Sequence, residues 1–170
     1  MAAAGCRHFF VAHLDEAIAL RPHLPASTVL YVLHGSPSGV ESEFLAHDLI
    51  PVLNSLSQMD AWAALARSKK MPLPAILQVD TGMSRLGLSL QELAAVVEDQ
   101  RRLDGIELRY VMSHLACAEQ QDYSLNAQQL TLFQEARRVL PRAAASFANS
   151  SGVFLGPDYH FDLARPGAAL

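Results

Sequence analysis

Asp80-Thr81-Gly82-Met83-Ser84-Arg85-Leu86-Gly87 places a guanidinium on a glycine-bounded turn, directly after the apolar run Ala75-Ile76-Leu77-Gln78-Val79. Strand ends followed by tight turns are where α/β barrels present the polar groups that act on a ligand. Arg85 could contact an anion or a phenolate there, or be a surface arginine paired to a nearby acid. Ser113-His114-Leu115-Ala116 ends a second apolar run. His114 could be a hydrogen-bond partner inside a pocket or a satisfied core histidine. Asn149-Ser150-Ser151-Gly152 ends a third run. Its hydroxyls and backbone N–H groups suit a phosphate, particularly where a helix begins, and equally suit an ordinary N-cap. Arg165-Pro166-Gly167-Ala168 follows a fourth. Gly167 would let backbone approach a phosphate closely, and Arg165 could face a pocket or form a salt bridge.

Other residue types point away from other chemistries. No His-x-x-x-His or Cys-x-x-Cys pair provides metal-ligand spacing, and His160 and Asp162 are only isolated ligand types. No metal is expected. Cys117 lies three residues after His114 and reads as a small buried thiol rather than a nucleophile. The loop Gly35-Ser36-Pro37-Ser38-Gly39 lacks the terminal Gly-Lys-Ser/Thr of a nucleotide loop and reads as a plain connection. The only lysines, Lys69 and Lys70, sit where a helix C-terminus favours positive charge.

These residues need strands to carry them. Strands are expected over His8–Ala12, Val29–Leu33, Leu49–Asn54, Ala75–Asp80, Leu108–His114, Ala144–Asn149 and Asp162–Pro166. Most are short apolar runs, as in parallel strands buried on both faces. Helices fit between them. Ser57-Gln58-Met59-Asp60 resembles a capping box, with Met59, Trp62, Ala63 and Ala66 following at helical spacing. Ser89-Leu90-Gln91-Glu92 is a fuller one, and Ser124 to Leu140 reads as a helix stopped by Pro141. Repeated βα units imply a parallel sheet. About seven parallel strands in 170 residues predict an incomplete TIM-type barrel, since a complete one takes roughly 250 residues. A doubly wound sheet is the alternative, weakened by the lack of an early Gly-rich phosphate loop. No repeat or linker divides the chain, so a single domain over 1–170 is expected.

Composition narrows the function classes. The formal net charge is −4, without the basic footprint of a nucleic-acid binder. Hydrophobic residues make up 51% of the chain, which argues against disorder. Two cysteines without framework spacing fit a reducing compartment. The start is not a signal peptide, and no run reaches the ~18 apolar residues of a membrane span. A cytoplasmic protein is expected, without nucleic-acid or membrane partners.

In chain order, these motifs resemble the alanine racemases, fold-type III pyridoxal-phosphate enzymes. Asp80-Thr81-Gly82-Met83 with Arg85-Leu86-Gly87 matches the family's most recognisable motif. Phe9-Phe10-Val11-Ala12, Ser113-His114-Leu115-Ala116, Asn149-Ser150 and Asp162 with Arg165-Pro166-Gly167 match in the same order. The resemblance implies pyridoxal 5'-phosphate as cofactor, with Arg85 on its phenolic oxygen and Arg165 at its pyridine nitrogen. His114 would orient Arg165. Asn149, Ser150, Gly167 and Ala168 would complete the cofactor site, with Ser150 and the N–H groups of Gly167 and Ala168 on the phosphate. It also implies a small amino-acid substrate, a homodimer, and D-alanine supply for peptidoglycan.

Three departures from the family pattern stand out. The family's Schiff-base lysine, at the end of the first barrel strand, has no match, and neither Lys69 nor Lys70 replaces it by position. Gln78 stands where many members have a lysine. The β-rich C-terminal domain that supplies a catalytic tyrosine is also unmatched. No catalytic residue is therefore assigned, and the chain alone is expected to be inactive, lacking the first βα unit and the C-terminal β domain. Other readings are a non-catalytic pyridoxal-phosphate or phosphate-binding remnant, a racemase for another small amino acid such as serine, or a small pyridoxal-phosphate homeostasis protein.

Overall fold

The computed structural model describes residues 1–168. Strands and helices alternate: β1 (His8–Val11), α1 (Leu14–Leu20), β2 (Val29–Val32), α2 (Glu41–Ala46), β3 (Leu49–Leu53), α3 (Leu56–Lys69), β4 (Leu73–Gln78), α4 (Leu90–Glu98), β5 (Ile106–Met112), α5 (Ser124–Val139) and β6 (Ala144–Ser146). The strands neighbour one another in the order β1-β2-β3-β4-β5-β6. This is the expected α/β class.

The chain forms two compact units. The first is Met1–Ile76 with Arg101–Glu107. Here β1 and β2 are parallel, with His8 opposite Val29, and β2 and β3 are parallel, with Leu30 opposite Leu49. β2 and β3 are buried almost throughout, as strands covered on both faces must be. β1 departs from that expectation, because all four of its residues are half-buried. The core of this unit holds Leu30, Val32, Val52, Leu53 and Met59, with Phe44 edge-on to Trp62 at 5.8 Å. α3 is capped by Ser55, whose Oγ accepts the Gln58 N–H at 3.3 Å. The expected cap, Ser57, lies inside the first turn instead, because Gln58 also reaches back to the Asn54 N–H and pulls the helix start forward. Lys69 and Lys70 close this helix, with Lys70 in the left-handed region at φ 54°.

The second unit is Leu77–Gln100 and the chain from Leu108 onward. β5 and β6 pair in parallel, with Tyr110 opposite Ala144. α4 starts on the reciprocal capping box its sequence predicts: Ser89 Oγ accepts the Glu92 N–H, and Glu92 accepts the Ser89 N–H. The core packs Val79, Leu88, Val96, Val111, Met112, Phe133 and Phe147, with Phe133 stacked on Phe147 at 4.8 Å.

The expected strand Asp162–Pro166 is not a ladder strand. Only isolated bridges form there, antiparallel between Ser146 and Phe161 and parallel between Asn149 and Arg165. The cause is side-chain competition for backbone partners. The Asp162 carboxylate accepts the Ala145 N–H at 2.8 Å, and Ser146 Oγ donates to Leu163 O at 2.6 Å. Pro166 supplies no N–H at all.

Candidate active site

The turn after β4 is closed at its neck by backbone. Asp80 N–H donates to Leu88 O and Leu88 N–H to Gln78 O, both at 2.8 Å. Inside the turn, Asp80 Oδ1 accepts the N–H groups of Gly82, Met83 and Ser84 at 2.9 to 3.0 Å. That bonding bends the backbone into the left-handed region at Ser84 and Gly87. At Gly87 a Cβ would lie 2.8 Å from the Asp80 nitrogen, so only glycine fits. Buried Gln78 braces the same turn through a 3.0 Å bond from Nε2 to Leu86 O. The acid nearest in sequence to Arg85 is thus committed to backbone. Arg85 is exposed at the tip and, among the described residues, has no hydrogen bond or ion pair. The reading of Arg85 as half of a surface salt bridge does not hold among those residues.

His114 follows β5 and lies between two donors. Its Nδ1 is 3.4 Å from an Arg165 Nη2, and its Nε2 is 3.4 Å from Asn149 Nδ2. Asn149 cannot turn its amide round. Nδ2 donates to Leu115 O at 3.2 Å while Oδ1 accepts the Gly152 N–H at 2.9 Å. A Cβ at Gly152 would sit 2.7 Å from Leu115 Cδ1, so a side chain there would have to displace the buried Leu115. Burial, then the charge of Arg165, then that of Arg85, lower the His114 pKa to about 4. His114 is therefore neutral at neutral pH, and both arginines act on it.

Arg165 is held from its own side. Its Nη1 donates to Ser146 Oγ and its Nη2 to Ser113 O at 2.7 Å, while its backbone N–H reaches Ala148 O at 2.9 Å. Burial lowers its pKa to about 10, so it stays charged at neutral pH. Beyond it, the Gly167 N–H donates to Ser150 Oγ at 2.9 Å, and open space lies where a Gly167 Cβ would point. Ala168 is exposed.

His114, Asn149, Ser150, Arg165 and Gly167 thus meet through short contacts, and Arg85 joins them through its field at His114. Among the described residues no three His, Cys, Asp or Glu side chains stand together as a metal site. Cys117 is half-exposed rather than buried. Sequence reasoning missed Ser146, Thr81 and Gln129 as supports. Gln129 carried a signal: it falls on the α5 stripe that also buries Phe133 and Ala136, and a polar side chain there must find partners.

The sequence profile of the alanine racemase N-terminal domain matches residues 1–170. This chain belongs to the alanine racemase N-terminal domain family. It is 52% identical over 166 residues to the catabolic alanine racemase of Mesorhizobium japonicum, covering 98% of this chain and 44% of that protein. To the alanine racemase of Rhodospirillum rubrum it is 51% identical over 168 residues, covering 99% of this chain and 45% of that protein. A crystal structure of alanine racemase from Bartonella henselae, with covalently bound pyridoxal phosphate, superposes with a TM-score of 0.95 at 43% identity. That match covers 98% of this chain and 48% of the other. The chain therefore spans somewhat under half the length of the racemases it matches. Among the described residues, no helix is long and apolar enough to cross a membrane.

Proposed function

We propose that the protein carrying this chain is a pyridoxal-phosphate-dependent alanine racemase, interconverting L- and D-alanine, and that this stretch supplies most of its cofactor cradle. The observation that carries this reading is His114, held neutral between Arg165 and Asn149 while Arg85 stands unpaired among the described residues. The residues fit the group. A ligand with a phenolic oxygen, a ring nitrogen acceptor and a phosphate needs cations and neutral donors, and no carboxylate facing it. Arg85 is available for the oxygen. Arg165 offers a donor for the ring nitrogen, with His114 beside it. Ser150 and Gly167 already hold a hydroxyl and an N–H at 2.9 Å, within reach of one phosphate, with Asn149 and Ala168 flanking them.

When bound, the cofactor would draw electrons from the substrate's Cα, so that the Cα proton can leave and return. The chain's own contribution is to limit that pull. Arg165 would keep its proton, and so would donate to the ring nitrogen without protonating it. A ring left neutral at that nitrogen is the weaker electron sink, which suits brief proton exchange over deeper bond breaking. His114 stays neutral and so does not add a third cation.

Further parts of this reading extend beyond these residues. The lysine that carries the cofactor and the tyrosine base match nothing here, and Lys69 and Lys70 close α3. Residues 1–170 alone would then not turn over. The full protein would complete a (β/α)8 barrel around this single partial domain, act as a cytoplasmic homodimer and supply D-alanine for peptidoglycan. Two measurements test the proposal. The full-length protein should form D-alanine from L-alanine with added cofactor. The chain itself should bind pyridoxal phosphate saturably at one site in equilibrium dialysis. Absence of both would overturn it.

A further inference from the structure

Gln129 on α5 is fully buried, and its amide is saturated by the two segments that carry the site. Its Oε1 accepts the Ala116 N–H at 2.9 Å. Its Nε2 donates to His114 O at 2.9 Å and to Thr81 Oγ1 at 3.3 Å. The orientation is fixed, since turning the amide would set Nε2 against the Ala116 N–H and Oε1 against the His114 carbonyl. Thr81 in turn shares a 2.8 Å bond with Ser113 Oγ, and Ser113 O holds Arg165 at 2.7 Å. Gly82, next to Thr81, lies against the same helix turn: a Cβ there would stand 3.7 Å from Gln129 Cγ and 3.5 Å from Leu125 Cδ1. One side chain thus brackets the His114 backbone and ties it to the Asp80–Gly87 turn.

We infer that Gln129 is a positioning residue, which locks the His114 segment against the Arg85 turn and so sets the spacing of His114, Arg165 and Arg85. What that spacing serves rests on the cofactor reading above; the bracketing itself does not. A buried amide could also do no more than complete a fold. The two roles differ in what they do to His114. The charged groups that face its ring are Arg165 and Arg85. If Gln129 sets their spacing, losing it changes the field and the burial at the imidazole. A purely structural amide would lower stability and leave the ring's titration in place.

The test compares Gln129→Met with Phe133→Leu in the full chain. Methionine keeps the length of glutamine and makes none of its three bonds. Phe133 is one turn along the same helix and packs on Phe147 and edge-on to Phe161 at 5.1 Å, with no hydrogen bond to the His114 segment or the Asp80–Gly87 turn. The first readout is the titration of the His114 ring by NMR without cofactor. The second is the dissociation constant for pyridoxal phosphate. Gln129→Met should raise the His114 pKa from about 4 by about one unit or more, towards the value of a solvated imidazole. It should also weaken cofactor binding by on the order of tenfold, the usual scale for an outer hydrogen-bond partner. Phe133→Leu should lower the melting temperature and leave both readouts alone. An unmoved His114 in Gln129→Met, or an equal shift in Phe133→Leu, overturns the proposal. Should Gln129→Met not fold, Thr81→Val is read instead. It cuts the link between the two segments without a change of shape, and an unmoved His114 there overturns the proposal equally. If the wild-type chain binds no pyridoxal phosphate and the full-length protein forms no D-alanine, the cofactor reading fails, and the imidazole titration still decides the role of Gln129.

Discussion

The turn that carries Arg85 and the segment that carries Arg165 reach the same histidine by opposite constructions. In the Asp80–Gly87 turn, one carboxylate organises the backbone and the arginine is left over. Asp80 takes three successive N–H groups, and Arg85 projects without a partner among the described residues. In the Asp162–Gly167 segment the arginine does the organising. Arg165 ties the segment to Ser146 and to the Ser113 carbonyl. A cation already bonded to neutral oxygens is fixed in place and keeps its charge. One arginine is fixed by its partners, and on the proposed cofactor reading the other is the one left for the ligand.

That contrast predicts unequal costs of deletion, with the largest at Arg165. Arg165→Ala removes the charge-assisted hydrogen bonds to Ser146 Oγ and the Ser113 carbonyl and the contact with His114 Nδ1. Hydrogen bonds to charged groups contribute about 1.5–3 kcal/mol each, offset here by the desolvation of the guanidinium, so a loss of about 3 kcal/mol is expected. Denaturant unfolding measures it. The same variant removes the larger of the two charges acting on His114, so the ring pKa should rise further than in any Arg85 variant. A loss well under 1 kcal/mol would make Arg165 as free as Arg85 and dissolve the comparison.

His114 also makes stability depend on pH. Its folded pKa of about 4 lies below the usual imidazole value of 6.5. Between those values the unfolded chain binds more protons than the folded one. This contribution is therefore complete above about pH 6.5 and falls away as the pH drops towards about 4, by at most about 3 kcal/mol. Urea unfolding at several pH values measures it, with His114→Asn as the reference that carries no imidazole. The wild type should lose stability over that window faster than the variant. Parallel profiles would mean that the ring is not held neutral by its surroundings.

The two arginine regions were unequally legible in the sequence. The Asp80–Gly87 turn could be read because its bonds are local: an aspartate, two glycines and the arginine lie within eight residues. The Ser89–Glu92 cap and α5 were legible for the same reason, one through i to i+3 bonding and the other through its stop at Pro141. The Arg165 segment looked like a seventh strand, because Asp162–Pro166 ends the chain's βα rhythm where a strand would come. Its real partners are Ala145, Ser146 and Ser113, 17 to 52 residues away, and the segment reaches them through the Asp162 and Arg165 side chains. Periodicity does not register such bonds. Gln129 shows the same limit. Its position on a buried stripe marked it as in need of partners, but the partners Thr81, His114 and Ala116 come from other segments.

The smallest expected effect on stability sharpens the contrast most. Arg85→Ala removes an exposed side chain with no bond to give up among the described residues, so stability should stay within about 0.5 kcal/mol of wild type. The turn beneath it is held by Asp80 and by the backbone neck, neither of which the substitution touches. Its effect should appear in two other places. The His114 pKa should rise, and by less than in Arg165→Ala, because Arg85 is the weaker of the two charges on the ring. Pyridoxal phosphate should bind more weakly by on the order of tenfold, the scale of one lost charge-assisted contact. Dialysis and unfolding on the same preparation separate these effects. A variant that loses stability and keeps its affinity would reverse the assignment, making Arg85 a support of the turn and leaving the ligand to Arg165 alone.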